Sequence, residues 1–238
     1  MFDILQQYGP ALLWSDGYHF SGLAVTLWLL VISVSMGFVV SIPLAIAKTS
    51  NRRRYSFPVW LFSYLFRGTP LYVQLLVFYS GVYTLEFVHS TEFLNWFFRS
   101  GYNCIVFVLV LNTCAYTTEI FAGAIRETEQ GEIEAAKAYG FSAWKRYRVI
   151  IIPSALRRAL PSYSNEVILM LHATSIAFTA TVPDILKVAR DINSATYQSF
   201  HAFGIAALIY LMVSFFLVWL FRYAEQRWLG YLQPITTH

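Results

Sequence analysis

Glu129 to Pro153 reads EQGEIEAAKAYGFSAWKRYRVIIIP, a polar interruption in a chain that is mostly apolar. Its apolar residues recur at Ile133, Ala136, Gly140, Trp144 and Tyr147, the three-and-four spacing of a helix with one apolar face. Glu132, Glu134, Lys137, Lys145, Arg146 and Arg148 place charge around that face. A helix lying on lipid headgroups carries Lys and Arg beside a continuous apolar face. Here the first half is acidic, with Glu127, Glu129, Glu132 and Glu134, and anionic headgroups would repel it. Gly140 is free to adopt positive φ and so to turn one short helix into another. Ala135 and Ala136 are small enough for a partner surface to come close. The stretch reads as a protein-docking surface held in water between membrane spans.

Composition supports the membrane setting. Of 238 residues 57% are hydrophobic, 18% aromatic and only 13% charged, against about 25% charged in a soluble domain. The net charge of +4 does not indicate nucleic acid, because the basic residues gather at the ends of apolar runs and form no stripe. Cys104 and Cys114 share one apolar run, where they act as small hydrophobes; neither a disulfide nor a metal pair is expected. The first Lys or Arg is Lys48, so the opening apolar run lacks a basic n-region and is expected to stay in the mature protein.

Outward from the polar stretch, five spans are expected in one transmembrane domain over residues 1–238. Residues 1–20, with Trp14, Tyr18 and Phe20, suit a short amphipathic segment at the interface. The first span covers about 22–47, long enough at ~1.5 Å per residue to cross ~30 Å of hydrocarbon. It carries small residues for close packing and Pro43 as a kink. The basic hinge KTSNRRR, Lys48 to Arg54, leads to a second span at 57–83 containing Phe66-Arg67-Gly68-Thr69-Pro70. The third span covers 103–125. The fourth covers 162–182, bounded by Pro161 and Pro183, and after a loop with Asp184, Lys187, Arg190 and Asp191 the fifth covers 203–221. With the N-terminus outside, only Arg99, Lys187 and Arg190 of the 17 Lys and Arg face outward. The positive-inside rule therefore gives N-out, C-in and a cytoplasmic 129–153 stretch.

No enzymatic constellation is visible. A Gly-rich phosphate loop, HExxH and a G-x-S-x-G elbow are all missing from the sequence, and the histidines at 19, 89, 172, 201 and 238 lack ligand spacing. The polar groups inside the spans remain. Glu166 is the sharpest, since a carboxylate at membrane depth faces a cavity or a partner. Two readings stand for it: contact with substrate, or an ion pair with Arg157, Arg158 or a neighbouring subunit. Asn165 and His172 lie seven residues apart, about 700° of rotation and so nearly one face; Ser175 and Thr174 extend the stripe. His172 also suits a helix–helix hydrogen bond. Gln74, one turn beyond Pro70, could face the bundle interior. Glu119 reads as a structural or gating group paired with Arg126 or capping a helix, and Arg67 opens a turn before a proline-started helix.

Several motifs together resemble a known family. Glu134-Ala135-Ala136, Gly140, Ile150 and Ile152-Pro153 are similar to the EAA motif of bacterial ABC importer permeases, E-A-A-x3-G-x9-I-x-L-P, with Ile152 in place of leucine. Phe66 to Pro70, NTCAYTTEIFAGAI at 112–125 and TATVP at 179–183 resemble marks of the polar amino-acid branch, and within it the importers of histidine, lysine, arginine and ornithine. Ala122 departs from the arginine common there, and no role is carried over to it. The resemblance implies an all-α, type I importer permease fold in a pseudo-symmetric heterodimer with a related Q-type permease. It implies two copies of an ABC ATPase that hold ATP and Mg, with no cofactor on this chain, and a periplasmic substrate-binding protein. Glu134, Ala135, Ala136, Gly140 and Trp144 would belong to the coupling helices that dock on the ATPase. The competing class is a secondary transporter driven by an ion gradient; such folds usually have more spans and inverted repeats, and no repeat is found here. An intramembrane enzyme would need a nucleophile–base pair, which is not apparent.

Overall fold

The computed structural model describes residues 2–229, and it is helical almost throughout. His238 lies outside the described residues. An amphipathic first helix, α1 (Phe2–Leu13), precedes the long α2 (Leu23–Lys48). Then come α3 (Arg53–Gly68) and α4 (Leu71–Leu76), the latter continued by a π turn at Val77–Gly81 and a 3-10 turn at Val82–Thr84. Two short helices, α5 (Glu86–Ser90) and α6 (Glu92–Phe98), lead to α7 (Gly101–Arg126). The polar stretch forms α8 (Gln130–Ala138), α9 (Ala143–Arg146) and a π turn at Tyr147–Ile151. The chain returns through α10 (Ile152–Ala173), a 3-10 segment (Thr174–Ala180), α11 (Ile185–Thr196) and α12 (Ser199–Leu229).

Among the described residues three helices are long and apolar enough to cross a membrane: Leu23–Lys48, Gly101–Arg126 and Ser199–Trp228. The expected second span, 57–83, is not continuous, because Arg53–Gly68 and Leu71–Thr84 meet at 102°. The cause is local. The residue before a proline is driven out of the α region, and Thr69 is extended at φ −116° and ψ 141°. Pro70 is then the N-cap of the next helix, where its missing N–H costs nothing.

The fourth helix also corrects the expectation. It starts at Ile152, not after Pro161, and runs straight through that proline. Pro153 occupies its first turn, the position proline prefers. Arg157, Arg158, Glu166 and His172 dilute its apolar content, so composition alone does not mark it as a span. The expected loop at 184–191 is the amphipathic helix α11. Asp184 caps it by accepting from the N–H groups of Leu186 (3.2 Å) and Lys187 (2.9 Å), and Ile185, Val188, Ala189 and Ile192 form its buried stripe.

Helices α2 and α7 make the closest pair. Lipid is as apolar as leucine, so in a bilayer helices associate through close packing of small residues, not through exclusion of water. Gly37 meets that need: a Cβ on it would lie 1.9 Å from Thr113 Cγ2. Phe38 of α2 adds edge-on ring contacts to Phe121 and Tyr163, each at 5.4 Å, joining α2, α7 and α10 in one core. A second core holds Ile4 and Leu12 of α1 against α11 and the start of α12. Cys104 and Cys114 are buried and free.

Candidate functional site

The break between α3 and α4 strips the last carbonyls of α3 of their intrahelical partners, and inside a membrane each must find another. Gln74 supplies one. Its Nε2 donates to Phe66 O (2.7 Å), Thr69 O (3.0 Å) and Thr69 Oγ1 (2.8 Å), and the residue is buried. Thr69 Oγ1 donates to Leu65 O at 2.9 Å. Asn112 of α7 reaches Phe66 O at 3.5 Å. Gln74, read as a residue that could face the bundle interior, is buried, and its Nε2 holds the turn.

The braced turn forms one wall of a cavity of about 430 Å³. Arg67, Thr69 and Pro70 line it from the break, Asn112 and Tyr116 from α7, and Glu166 with Leu169 and Met170 from α10. Its depth follows from helix length. Asn112 is eleven residues from Gly101 and fourteen from Arg126, roughly 17 and 21 Å along α7. Glu166 is fourteen residues into α10, again roughly 21 Å from its start. The cavity is therefore near mid-depth of the bundle, and one carboxylate and one guanidinium face it.

Arg67 is held by its neighbours. Its Nη1 lies 3.3 Å from Glu119 Oε1, and its guanidinium carbon sits 5.2 Å from the Tyr116 ring centroid. Glu119 also pairs with Lys48 Nζ from the end of α2. The expected partner, Arg126, lies two turns down the same helix; the tertiary fold brings Lys48 and Arg67 instead. Arg158 does not pair with Glu166 either. It donates to Ser154 Oγ (2.7 Å), Ala124 O (3.0 Å) and Thr128 Oγ1 (2.8 Å), tying the start of α10 to the end of α7.

The other polar residues of the expected stripe are not brought to this cavity. Asn165 is exposed on the outer side of α10. His172 Nε2 is 3.1 Å from Ser214 Oγ of α12, a helix–helix hydrogen bond. With Ser175 it lines a separate space of about 280 Å³ next to Leu186 and Tyr210. Missing from the sequence reading were Asn112, Tyr116 and Thr69 as lining groups; the signal for Thr69 was its place before Pro70.

The 129–153 stretch forms two short helices joined at Gly140, whose φ is +74°. Gly140 N–H donates to Lys137 O (2.9 Å) and Phe141 N–H to Ala136 O (3.0 Å), the paired bonds of a Schellman motif. Ser142 then caps α9 by accepting from Lys145 N–H at 3.3 Å, and Arg146 Nη1 donates to Phe141 O at 2.9 Å. Ala136 is buried, whereas Glu134 and Ala135 are exposed. Tyr139 and Trp144 project as large exposed rings, 83% and 69% accessible.

Long apolar helices, a broken span beside a mid-depth cavity and an exposed polar projection define a membrane transport component. Residues 37–230 match the binding-protein-dependent transport system inner membrane component family, and the chain belongs to it. It is a multi-pass inner-membrane permease subunit of an ABC importer, distinct from the ATPase. It is 67% identical over its full length to the histidine/lysine/arginine/ornithine transport system permease protein HisM of Escherichia coli, all of which is covered. It is 40% identical over 86% of its length to the nopaline transport system permease protein NocM of Agrobacterium fabrum, 85% of which is covered. Among solved structures it is similar to an amino acid ABC transporter crystallised with histidines: TM-score 0.80, 29% identity, 95% of this chain and 98% of the other. The MetNI methionine ABC transporter shares the fold at TM-score 0.70 and 14% identity, over 85% of this chain and 92% of that one.

Proposed function

We propose that this chain is the membrane-spanning half of an ATP-driven importer that carries cationic amino acids from the periplasm to the cytoplasm. The observation that carries the reading is Glu166. Its carboxylate is buried at mid-depth, has no Lys or Arg within ion-pair distance among the described residues, and faces a cavity at a helix break. A cationic side chain would supply the missing counter-charge, and discontinuous helices next to polar groups are a recurring design of transport sites. Arg67 and Lys48 both pair with Glu119, which leaves Glu166 as the carboxylate of the cavity without an ion-pair partner among the described residues.

The five-span count follows if the bent pair α3–α4 and the charged α10 each cross once. The N-out, C-in orientation follows from the basic residues. With that orientation α8 and α9 project into the cytoplasm, where Glu134, Ala135, Gly140 and Trp144 dock on an ATPase dimer that holds ATP and Mg. A Q-type permease completes the route and a periplasmic binding protein delivers the cargo. Closure of the ATPases rocks the permease halves about the fixed site. Glu119, joined to α2 and to the break, holds the cavity wall through that motion.

The test is reconstitution with the co-purified partners in proteoliposomes. Uptake of arginine or histidine that requires ATP and survives an uncoupler supports the reading. Purification without an ATPase, together with uptake abolished by the uncoupler, indicates an ion-driven carrier instead.

A further inference from the structure

A third space, of about 730 Å³, opens at the end of the bundle that carries the polar stretch. Phe38 and Phe121 form its floor, with Pro153, Leu160 and Tyr163 of α10 along one side. Two cations and an indole stand at its mouth, Arg157 on the first turns of α10 and Arg227 with Trp228 on the last turn of α12. Neither arginine has a carboxylate within ion-pair distance among the described residues, and both are exposed. Arg157 is nine residues before Glu166, about 900° of helical rotation, so it points away from the substrate cavity by about half a turn. The Arg157 side of the groove therefore lies across α10 from the substrate cavity. From the buried Phe121 to the exposed Trp228, Arg157 and Arg227, the lining of the groove passes from apolar to aromatic to cationic, which matches acyl chain, interface and phosphate.

We propose that this groove holds one anionic phospholipid of the membrane. Its phosphate lies between Arg157 and Arg227, Trp228 sits at the headgroup level, and an acyl chain runs along Phe38, Phe121 and Leu160. Basic pockets between membrane helices bind such headgroups, and arginine matches phosphate oxygens with paired donors. Pro153 is both in this wall and at the root of the polar stretch, so the lipid touches the joint between α10 and that projection. The site needs only that α10 and α12 lie in the bilayer, and it stands apart from the identity of the cargo.

The chain is purified in mild detergent with the subunits that accompany it, and retained lipid is counted by native mass spectrometry. One anionic phospholipid per copy of this chain is expected. The double variant Arg157→Gln/Arg227→Gln should lower its retention about 30-fold, while Arg222→Gln, exposed on the same helix but outside the groove, should leave it unchanged. Equal loss in Arg222→Gln would mean nonspecific surface charge and would overturn the site, as would retention of zwitterionic lipid alone. So would cross-linking of Trp228→Cys to a partner permease by a thiol-reactive photoactivatable reagent, which would show a protein filling the groove. Titrating anionic lipid into wild-type protein in zwitterionic nanodiscs gives a variant-free check: saturation at one per chain is expected, and a linear rise refutes the site. Whether ATPase subunits accompany the chain is read in the same spectra and bears on the importer reading alone.

Discussion

Glu119 and Lys48 stand 71 residues apart in the chain and form an ion pair between α7 and the end of α2. Lys48 retains only 6% of its side-chain exposure and Glu119 26%. Removing one member of such a pair leaves an uncompensated charge, whereas removing both can be nearly neutral. Glu119→Gln should therefore destabilise the protein by about 1–3 kcal/mol, below the ~3–5 kcal/mol of a fully buried pair because Glu119 is partly hydrated. Thermal melting in detergent checks this: the Lys48→Met/Glu119→Gln double variant should recover part of the lost melting temperature, the remainder reflecting Arg67, which Glu119 also holds. A double variant as unstable as the sum of the singles would rule out the coupling.

Glu166→Gln keeps size and shape while removing charge. Losing one charge-assisted contact should reduce uptake of arginine about 10–100-fold at low substrate, with the complex still assembled. Uptake kinetics equal to wild type would assign Glu166 to packing.

Ala135→Asp places charge and bulk on the exposed face of α8 while leaving the core untouched. ATP hydrolysis and uptake should then separate, with transport per ATP falling at least about tenfold if one close contact is lost. Normal coupling in proteoliposomes would remove α8 from the docking surface.

Gly37→Ala drives a methyl into Thr113 Cγ2, 1.9 Å from the position it would occupy. Overpacking of this kind costs about 1–3 kcal/mol. Thr113→Ser removes that methyl, so Gly37→Ala/Thr113→Ser should melt closer to wild type than Gly37→Ala alone. No rescue would mean that the two helices give way elsewhere.

Asp184, beyond the fourth helical segment, is fully buried, and burial pushes its carboxyl up to about 6 despite the bonds from the N–H groups of Lys187 and Leu186 and the Tyr210 hydroxyl. Its folded value lies above the ordinary carboxylate value of about 3.9, so the folded state binds this proton more tightly than the unfolded one. The contribution is favourable below about pH 4, declines as pH rises through about 6, and is then constant. Asp184→Asn keeps a capping oxygen and should flatten the fall in melting temperature between pH 4 and 7. An unchanged slope would place the titration elsewhere.

Much of the architecture was legible in residue order. The spans 22–47 and 103–125 fall within a residue or two of α2 and α7, because long apolar runs leave few alternatives. Gly140 announced its own turn, since a single residue type suits positive φ there. The bend in the second segment and the early start of the fourth were not legible because proline is ambiguous: Pro70 lies at a break while Pro161 sits inside a helix. Helix α11 was also legible in principle, from Asp184 as cap and the spacing of Ile185, Val188, Ala189 and Ile192.

By itself the sequence determined a membrane protein with a polar projection, and through its motifs a family of importer permeases. These rest on local properties: hydropathy over a span, the conformational freedom of one glycine, a run of spaced residues. Only the tertiary structure decided which charges meet. It joined Glu119 to Lys48 and Arg67 instead of Arg126, used Gln74 to brace the break, and sent His172 to Ser214. Charge pairing depends on which helix packs beside which, and helical periodicity gives the direction of a side chain without naming its neighbour. For the stretch at Glu129–Pro153, periodicity supplied the two short helices; the fold added the Arg158 tie that fastens their return helix to α7.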